Sequence, residues 1–333
     1  MRIAIPLAVI AAVSVAYAAF WPGGRLVVYC AHDAVYSQKI LDLFQQRTGI
    51  RLAVKFDTEA TKSLGLTELL LSEKDAPRCD VFWNNEVLGT MDLASKGVLD
   101  AYKGPGYERI PAAFKDPDGR WAGFGARVRL YIINTDKLQA TPEAVERALS
   151  GDLSRVAVAQ PIFGTTLTHY SVLWHVWGAD RLKAWRADWL RRGVREVAGN
   201  AQVKNLVAEG VCDLGWTDTD DYFEALGQGK HVAALPVRVD GRTICIPNTA
   251  AVIKGARHPE EARRLVDFLL SAEVETALAN SDARQVPLGP VDEAALPAQV
   301  RELAQWARDG IPLGDLGPAR DECLAWLKRE NAQ

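Results

Sequence analysis

Several things are scarce in this 333-residue chain. Neither charge sign dominates: 39 Lys and Arg stand against 42 Asp and Glu, a formal charge of −3. No basic stripe interleaved with aromatics is present, which argues against nucleic acid as a partner. Cysteine is sparse, with five residues (Cys30, Cys79, Cys212, Cys245, Cys323) and neither a C-x-x-C nor a zinc-type spacing, so thiolate metal chemistry is not expected. The chain has no G-x-S-x-G, no H-E-x-x-H and no Walker loop, and nothing else marks an activated nucleophile. An enzyme is therefore not expected. Internal repeats and low-complexity segments are also missing.

What remains is ordinary globular composition, 48% hydrophobic and 24% charged, at a length that suits two domains. The N-terminus differs from the rest. Met1-Arg2 is followed by an uncharged run from Ile3 to Trp21, and Ala16-Tyr17-Ala18 fits a cleavage site of the A-x-A kind. Residues 1–22 read as a secretory signal peptide, or as an uncleaved anchor, since the run is just long enough to span a bilayer. Either way the remainder is exported, to the periplasm or another extracytoplasmic space. In an oxidising compartment one disulfide is possible, with Cys212–Cys245 the preferred pair.

The rest alternates strands and helices, which means a mostly parallel sheet covered on both faces. Strand patterns fall at 25–30, 50–56 and 80–83, and later at 156–159, 194–197, 213–216 and 232–237. Helix patterns lie between them, the first showing Ile40, Leu41 and Phe44 on one face and ending at Thr48-Gly49, where glycine supplies a left-handed cap. Two longer strand-like stretches, 121–134 and 242–253, bracket the middle of the chain, and beyond 253 the pattern is helical. This organisation predicts two lobes joined by two crossings: residues 25–125 with 251–333, and residues 126–250.

Candidate chemistry sits where strands end. The first strand is followed by His32 and Asp33, the third by Asn84-Asn85-Glu86. Gly164-Thr165-Thr166 precedes a helix, where free backbone N–H groups favour an anion, and Gly199-Asn200 precedes another. Arg127 and Arg129 alternate on the first crossing strand and so face the same way. Most informative is Gly215-Trp216-Thr217-Asp218-Thr219-Asp220-Asp221, three carboxylates in four residues at a strand end. Anions so close repel one another unless a cation or water offsets them. The run reads either as a helix-capping turn or as half of a binding site. His with Asp and Glu suits a hard or borderline cation such as iron, manganese or zinc, and an anion at Gly164–Thr166 would complete its coordination.

In order along the chain, LVVYCAHD (26–33), FQQRTGI (44–50), DVFWNNE (80–86), GFGARVRLYIINTD (123–136), PIFGTT (161–166), GNAQVKNLV (199–207), GWTDTDD (215–221) and IPNTAAVIKGA (246–256) resemble the extracellular solute-binding proteins of ABC importers, in particular their ferric-iron-binding branch. The resemblance covers nearly all of the chain after residue 22. It implies a two-lobed α/β periplasmic-binding-protein fold of type II, monomeric, that closes on a ligand and delivers it to a membrane permease and its ATPase. It also implies His32 and Glu86 as metal ligands, and a synergistic phosphate- or carbonate-like anion at Gly164, Thr165 and Thr166 with Asn200 nearby. The departure is at the adjacent tyrosine pair of that branch, whose place Asp220 and Asp221 take, with Tyr222 one position late. The expected cargo is a metal ion, ferric iron (Fe3+) first, held by His32, Glu86, Asp220 and Asp221, with Asp218, Arg127 and the anion residues beside it. Two carboxylates bind Fe(III) more weakly than two phenolates and accept divalent ions more readily. The alternatives are an organic solute bearing an amine and an anion, such as an aminophosphonate, and, from another class, a metal-dependent hydrolase or signalling receptor using the same cleft.

Overall fold

The computed structural model describes residues 24–57 and 64–331. The expected signal or anchor segment, 1–22, lies outside the described residues. The elements in chain order are β1 (Leu26–Cys30), α1 (Ala34–Thr48), β2 (Leu52–Phe56), α2 (Leu64–Ser72), β3 (Val81–Asn84), α3 (Leu88–Ser95), α4 (Pro105–Arg109), β4 (Ala122–Asn134), α5 (Pro142–Ser150), β5 (Val156–Ala159), α6 (Gly164–Trp177) and α7 (Ala179–Arg191). They continue with β6 (Arg195–Val197), α8 (Asn200–Ala208), β7 (Leu214–Asp218), α9 (Thr219–Gly227), β8 (Val232–Pro236), β9 (Arg238–Val239), β10 (Arg242–Thr243), β11 (Cys245–Val252), α10 (Pro259–Leu269), α11 (Ala272–Asn280), α12 (Ala298–Arg308) and α13 (Gly317–Asn331).

The strands run in the order β2-β1-β3-β11-β4-β7-β5-β6, with β8 also on β4. Pairing is parallel within β2-β1-β3 and within β7-β5-β6, as βαβ connections require, and antiparallel wherever β4, β8 or β11 takes part. The long strand β4 belongs to both halves. Its start pairs with β11, from Ala122↔Ala250 to Val128↔Cys245, and from Arg129 onward it pairs with β7 and β8.

Local rules account for much of this. α1 buries Ile40, Leu41 and Phe44 on the face the spacing predicts, and Gly49 ends it at φ 70°, its N–H bonded to the Gln45 carbonyl. On β7, Gly215 permits α8 to lie close, since a Cβ there would meet Val203 Cγ1 at 2.5 Å. Trp216 stacks on Trp185 at 5.5 Å and pins the same strand from a neighbouring helix.

Two expectations need adjustment. All five cysteines are free and buried, so the Cys212–Cys245 disulfide does not form. Cys212 packs with Ala157, Val203 and Val207, while Cys245 fills a separate apolar cluster with Ala126, Val128 and Leu303. Each behaves as a small core residue. The last helix, α13, packs against α6 as well as α3, so it touches elements on both sides of the β4 crossover rather than one. Trp174 Nε1 donates to Glu322 at 3.1 Å and Arg186 pairs with Glu330 across that seam.

Candidate functional site

A cleft of about 890 Å³ opens where β4 changes partners. One wall is the start of α1, with Asp33 and Tyr36, and the end of β3, with Asn85. The other holds the N-termini of α6, α8 and α9, bringing Gly164, Thr165, Thr166, Asn200, Asp218, Asp220 and Asp221 to one space.

The strand β7 extends two residues beyond the pattern expected for it, so Asp218 is its last residue and α9 begins at once. Asp220 and Asp221 thus lie in the first helical turn, where the helix dipole favours anions. Asp218 is the N-cap of α9 yet makes no side-chain capping bond. Its carboxylate turns instead to three donors. Arg129 Nη1 donates to Oδ1 at 2.9 Å, Thr165 Oγ1 donates to Oδ2 at 2.6 Å, and Asn200 Nδ2 donates to Oδ2 at 2.9 Å. Register explains the first contact: Arg129 on β4 is directly opposite Asp218 on β7, the cross-strand arrangement in which opposite charges attract most. Both side chains are buried, Arg129 at 0% and Asp218 at 3% exposure.

Arg127, two residues earlier, donates to the Asn85 carbonyl and lies 3.6 Å from Asp220 Oδ2. Burial works against its charge, but the carboxylates of Asp220, Asp218, Asp33 and Asp221 hold the guanidinium above its ordinary value. Asp221 accepts a short hydrogen bond from Thr217 Oγ1, and its backbone N–H donates to Asp220 Oδ1 at 3.1 Å. One oxygen from each of Asp218, Asp220 and Asp221 falls within 4.8 Å of the others, and among the described residues no other such group of His, Cys, Asp or Glu occurs.

The structure does not bring His32 or Glu86 to these carboxylates. His32 is 2% exposed, stacks on Trp83 at 5.2 Å, and its Nε2 lies 2.7 Å from Gln285 Nε2, a geometry in which the amide donates to an unprotonated ring nitrogen. Glu86 caps α3, accepting from the N–H groups of Leu88 at 2.6 Å and Gly89 at 2.8 Å, and from Asn84 Nδ2 at 3.0 Å. Burial pushes its carboxyl above the ordinary value, opposed by those bonds and by the charge of Arg320. Tyr222 packs against Phe223 outside the cleft lining.

Sequence reasoning missed Tyr36, which places the cleft's phenol on the opposite wall, where burial and then the Asp220 charge push it up. It also missed Gln285 and the cleft-lining Arg284, whose φ of 47° is a left-handed conformation rare for a side chain of this size. Neither lies at a strand end, and both follow helix α11 in a stretch without periodic signal.

A sequence profile described as bacterial extracellular solute-binding protein matches residues 26–281, most of the chain. The chain belongs to this family. Solute-binding proteins of this kind are extracytoplasmic binders rather than enzymes, and among the described residues no helix is long and apolar enough to cross a membrane. The chain is similar to the major ferric iron-binding protein of Neisseria meningitidis serogroup A, 25% identical over 287 residues that cover 80% of this chain and 81% of that one. Its fold matches the iron-bound HitA from Pseudomonas aeruginosa with a TM-score of 0.77 at 22% identity, over 92% of this chain and 98% of that one. It also matches the periplasmic binding protein AfuA from Actinobacillus pleuropneumoniae, with fructose-6-phosphate bound, at TM-score 0.73 and 18% identity, over 92% and 98%. The α/β periplasmic-binding-protein fold expected from the sequence is therefore the fold of this solute-binding protein.

Proposed function

We propose that this solute-binding protein captures a metal ion, ferric iron first, in the cleft beside β4 and delivers it to the permease and ATPase of an ABC importer. The observation that carries the reading is the convergence of Asp218, Asp220 and Asp221 on one point of the cleft wall. Carboxylate oxygens are hard donors and suit Fe(III), as well as Mn(II) or Mg(II). The relatives named for iron support the choice of iron among these. Asp220 and Asp221 are the ligands proposed to hold the ion, with Asp33, Tyr36 and Asn85 facing them from the other wall. Cargo joining groups from both walls would favour the closed arrangement over an open one, the usual hinge device of such binders. His32 and Glu86 enter this reading as supports of the first wall through Gln285 and the α3 N-terminus.

The test is a thermal melt of chelator-stripped protein with ferric iron, then ferrous, manganese and zinc ions, and reversal by fresh chelator. Binding to the folded state alone raises Tm by mass action. A chelator-reversible rise, with about one iron per chain after gel filtration, is expected, and Asp220→Asn with Asp221→Asn abolishes it.

A second reading is an organic phosphate or phosphonate, including an aminophosphonate. It is favoured by Arg127 and Arg284 in the same cleft and by the sugar phosphate held by the AfuA relative. Stabilisation by such a compound in chelator, with no response to any metal, would replace the first reading by this one.

A further inference from the structure

We propose that Asp218 is a built-in anion: its carboxylate occupies the grip of Thr165, Asn200 and Arg129, so that the cargo cation is captured without a co-bound phosphate or carbonate. The cargo clause rests on the metal reading above; the claim about Asp218 does not.

At the helix ends whose N–H groups are expected to hold an external anion stand two side-chain donors, the Thr165 hydroxyl and the Asn200 amide. Here they are spent. Thr165 and Asn200 both donate to Asp218 Oδ2, at 2.6 and 2.9 Å, and Arg129 donates to Oδ1 at 2.9 Å. The arrangement is braced rather than incidental. Asn200 Nδ2 also donates to Thr165 Oγ1 at 2.9 Å, and Thr166 Oγ1 donates to Asn200 Oδ1 at 3.3 Å, which fixes the amide's orientation. Arg129 cannot turn elsewhere, because it is fully buried and opposite Asp218 in the strand register.

Asp218 also forgoes the bond an N-cap aspartate ordinarily makes to its own helix. Its orientation is thus set by these three partners and not by capping. A charged oxygen accepts more than one bond, and one Asp218 oxygen lies within 4.8 Å of oxygens from Asp220 and Asp221. The carboxylate therefore accepts from three donors and at the same time lies beside the two carboxylates proposed to hold the cation, as an independent anion bridging helix ends and metal would. A second anion in the same place would meet three carboxylates and no uncommitted side-chain donor among Thr165 and Asn200. The substitution of a covalently attached anion removes the entropy of recruiting one.

The experiment compares wild type, Asp218→Ala and Asp218→Asn in buffer free of phosphate, carbonate and citrate. Without metal, millimolar inorganic phosphate or acetate is expected to leave the wild-type Tm unchanged and to raise that of Asp218→Ala, whose vacated grip takes the free anion. With ferric chloride, wild type retains iron to within about twofold whether or not phosphate is added, while Asp218→Ala retains it about tenfold better with phosphate than without. Asp218→Asn fills the space without the charge, so it loses iron and gains nothing from phosphate. That variant carries the test if Asp218→Ala fails to fold. Three outcomes overturn the proposal: phosphate raising the wild-type Tm, wild-type iron retention that depends about tenfold on phosphate, or a folded Asp218→Ala variant indifferent to both anions. Wild type that takes no metal in either buffer overturns the metal reading alone, and the metal-free phosphate and acetate melts then still decide the role of Asp218.

Discussion

Replacing Arg129 by Met tests whether the Arg129–Asp218 pair is a working element of the second wall. Both partners are buried, so deleting the cation strands a carboxylate in low dielectric, a change that ordinarily costs about 3–5 kcal/mol. Two features reduce that figure. Asp218 keeps its bonds from Thr165 and Asn200, and hydrogen bonds to a charged group contribute about 1.5–3 kcal/mol each. Arg129 Nε and Nη2 are buried with no hydrogen-bond partner among the described residues, and Met removes that burden, worth about 1–3 kcal/mol. The net expectation is a loss of about 2 kcal/mol, or a Tm fall of about 4–8 °C at the slope typical of domains of 150–250 residues. Urea unfolding of wild type, Arg129→Met, Asp218→Asn and the double variant gives the coupling directly, expected at about 1 kcal/mol or more. If Arg129→Met unfolds within about 0.5 kcal/mol of wild type, or the coupling is below that, the pair is not what holds Asp218 in place.

Three further outcomes follow from the same contacts. Asp221→Asn should weaken metal retention about tenfold or more while costing under about 1 kcal/mol of apo stability, since the exchange weakens a first-turn dipole interaction, the Thr217 bond and a minor share of the charge facing Arg127; a large apo loss with unchanged metal retention would make the run a structural turn instead. Because burial raises the folded-state pKa of Glu86, its contribution is present at acid pH and is lost as pH rises through that raised value. Urea midpoints should therefore show wild type losing stability relative to Glu86→Gln as pH climbs above the ordinary carboxylate range, and a relative gain there would contradict the burial argument. The thiols of Cys30, Cys245 and Cys323 are pushed up to about 12 by burial, so the folded protein should resist alkylation at neutral pH and take five labels once unfolded; a mass short by two hydrogens before reduction would restore the disulfide.

How much of this the sequence revealed depends on the range of the interaction. The α1 face, its Gly49 cap, the βαβ alternation and the clustering of Asp218, Asp220 and Asp221 are local, and periodicity or spacing exposes them. The partners of those residues are not local. Arg129 and Asp218 are 89 residues apart and meet only because of the β4–β7 register. His32 and Gln285 are 253 residues apart, so nothing near His32 signals that its ring nitrogen is engaged. The N-terminal position of Thr165 and Asn200 on their helices was legible, and it suggested an external anion. That the anion is supplied by Asp218 was not, because a capping aspartate and an aspartate turned away from its helix have the same spacing. The disulfide failed for a related reason: buried cysteines in strand-like runs give no information on which cluster each will join.

On the proposed two-lobed reading, the place of β4 puts the site's chemistry and the hinge together. Val128 is the last residue paired with β11 and Arg129 the first paired with β7, so the strand passes from one half of the sheet to the other between the two arginines. Arg127 holds the Asn85 carbonyl on the β3 side and faces Asp220 across the cleft, whereas Arg129 is locked to Asp218 on the β7 side. A rotation about the crossover therefore leaves the Arg129–Asp218 register intact but changes the distance from Arg127 to Asp220. A cation settling among Asp220 and Asp221 competes with Arg127 for the same carboxylate, and repels it. On the proposed metal reading, cargo capture and the relative position of the two walls are thus coupled through one side chain. On this argument Arg127→Met should raise metal retention in the open protein while weakening its dependence on closure, seen as tighter binding with a smaller change in small-angle scattering radius on adding iron. Unchanged affinity together with an unchanged closure signal would separate the hinge from the site.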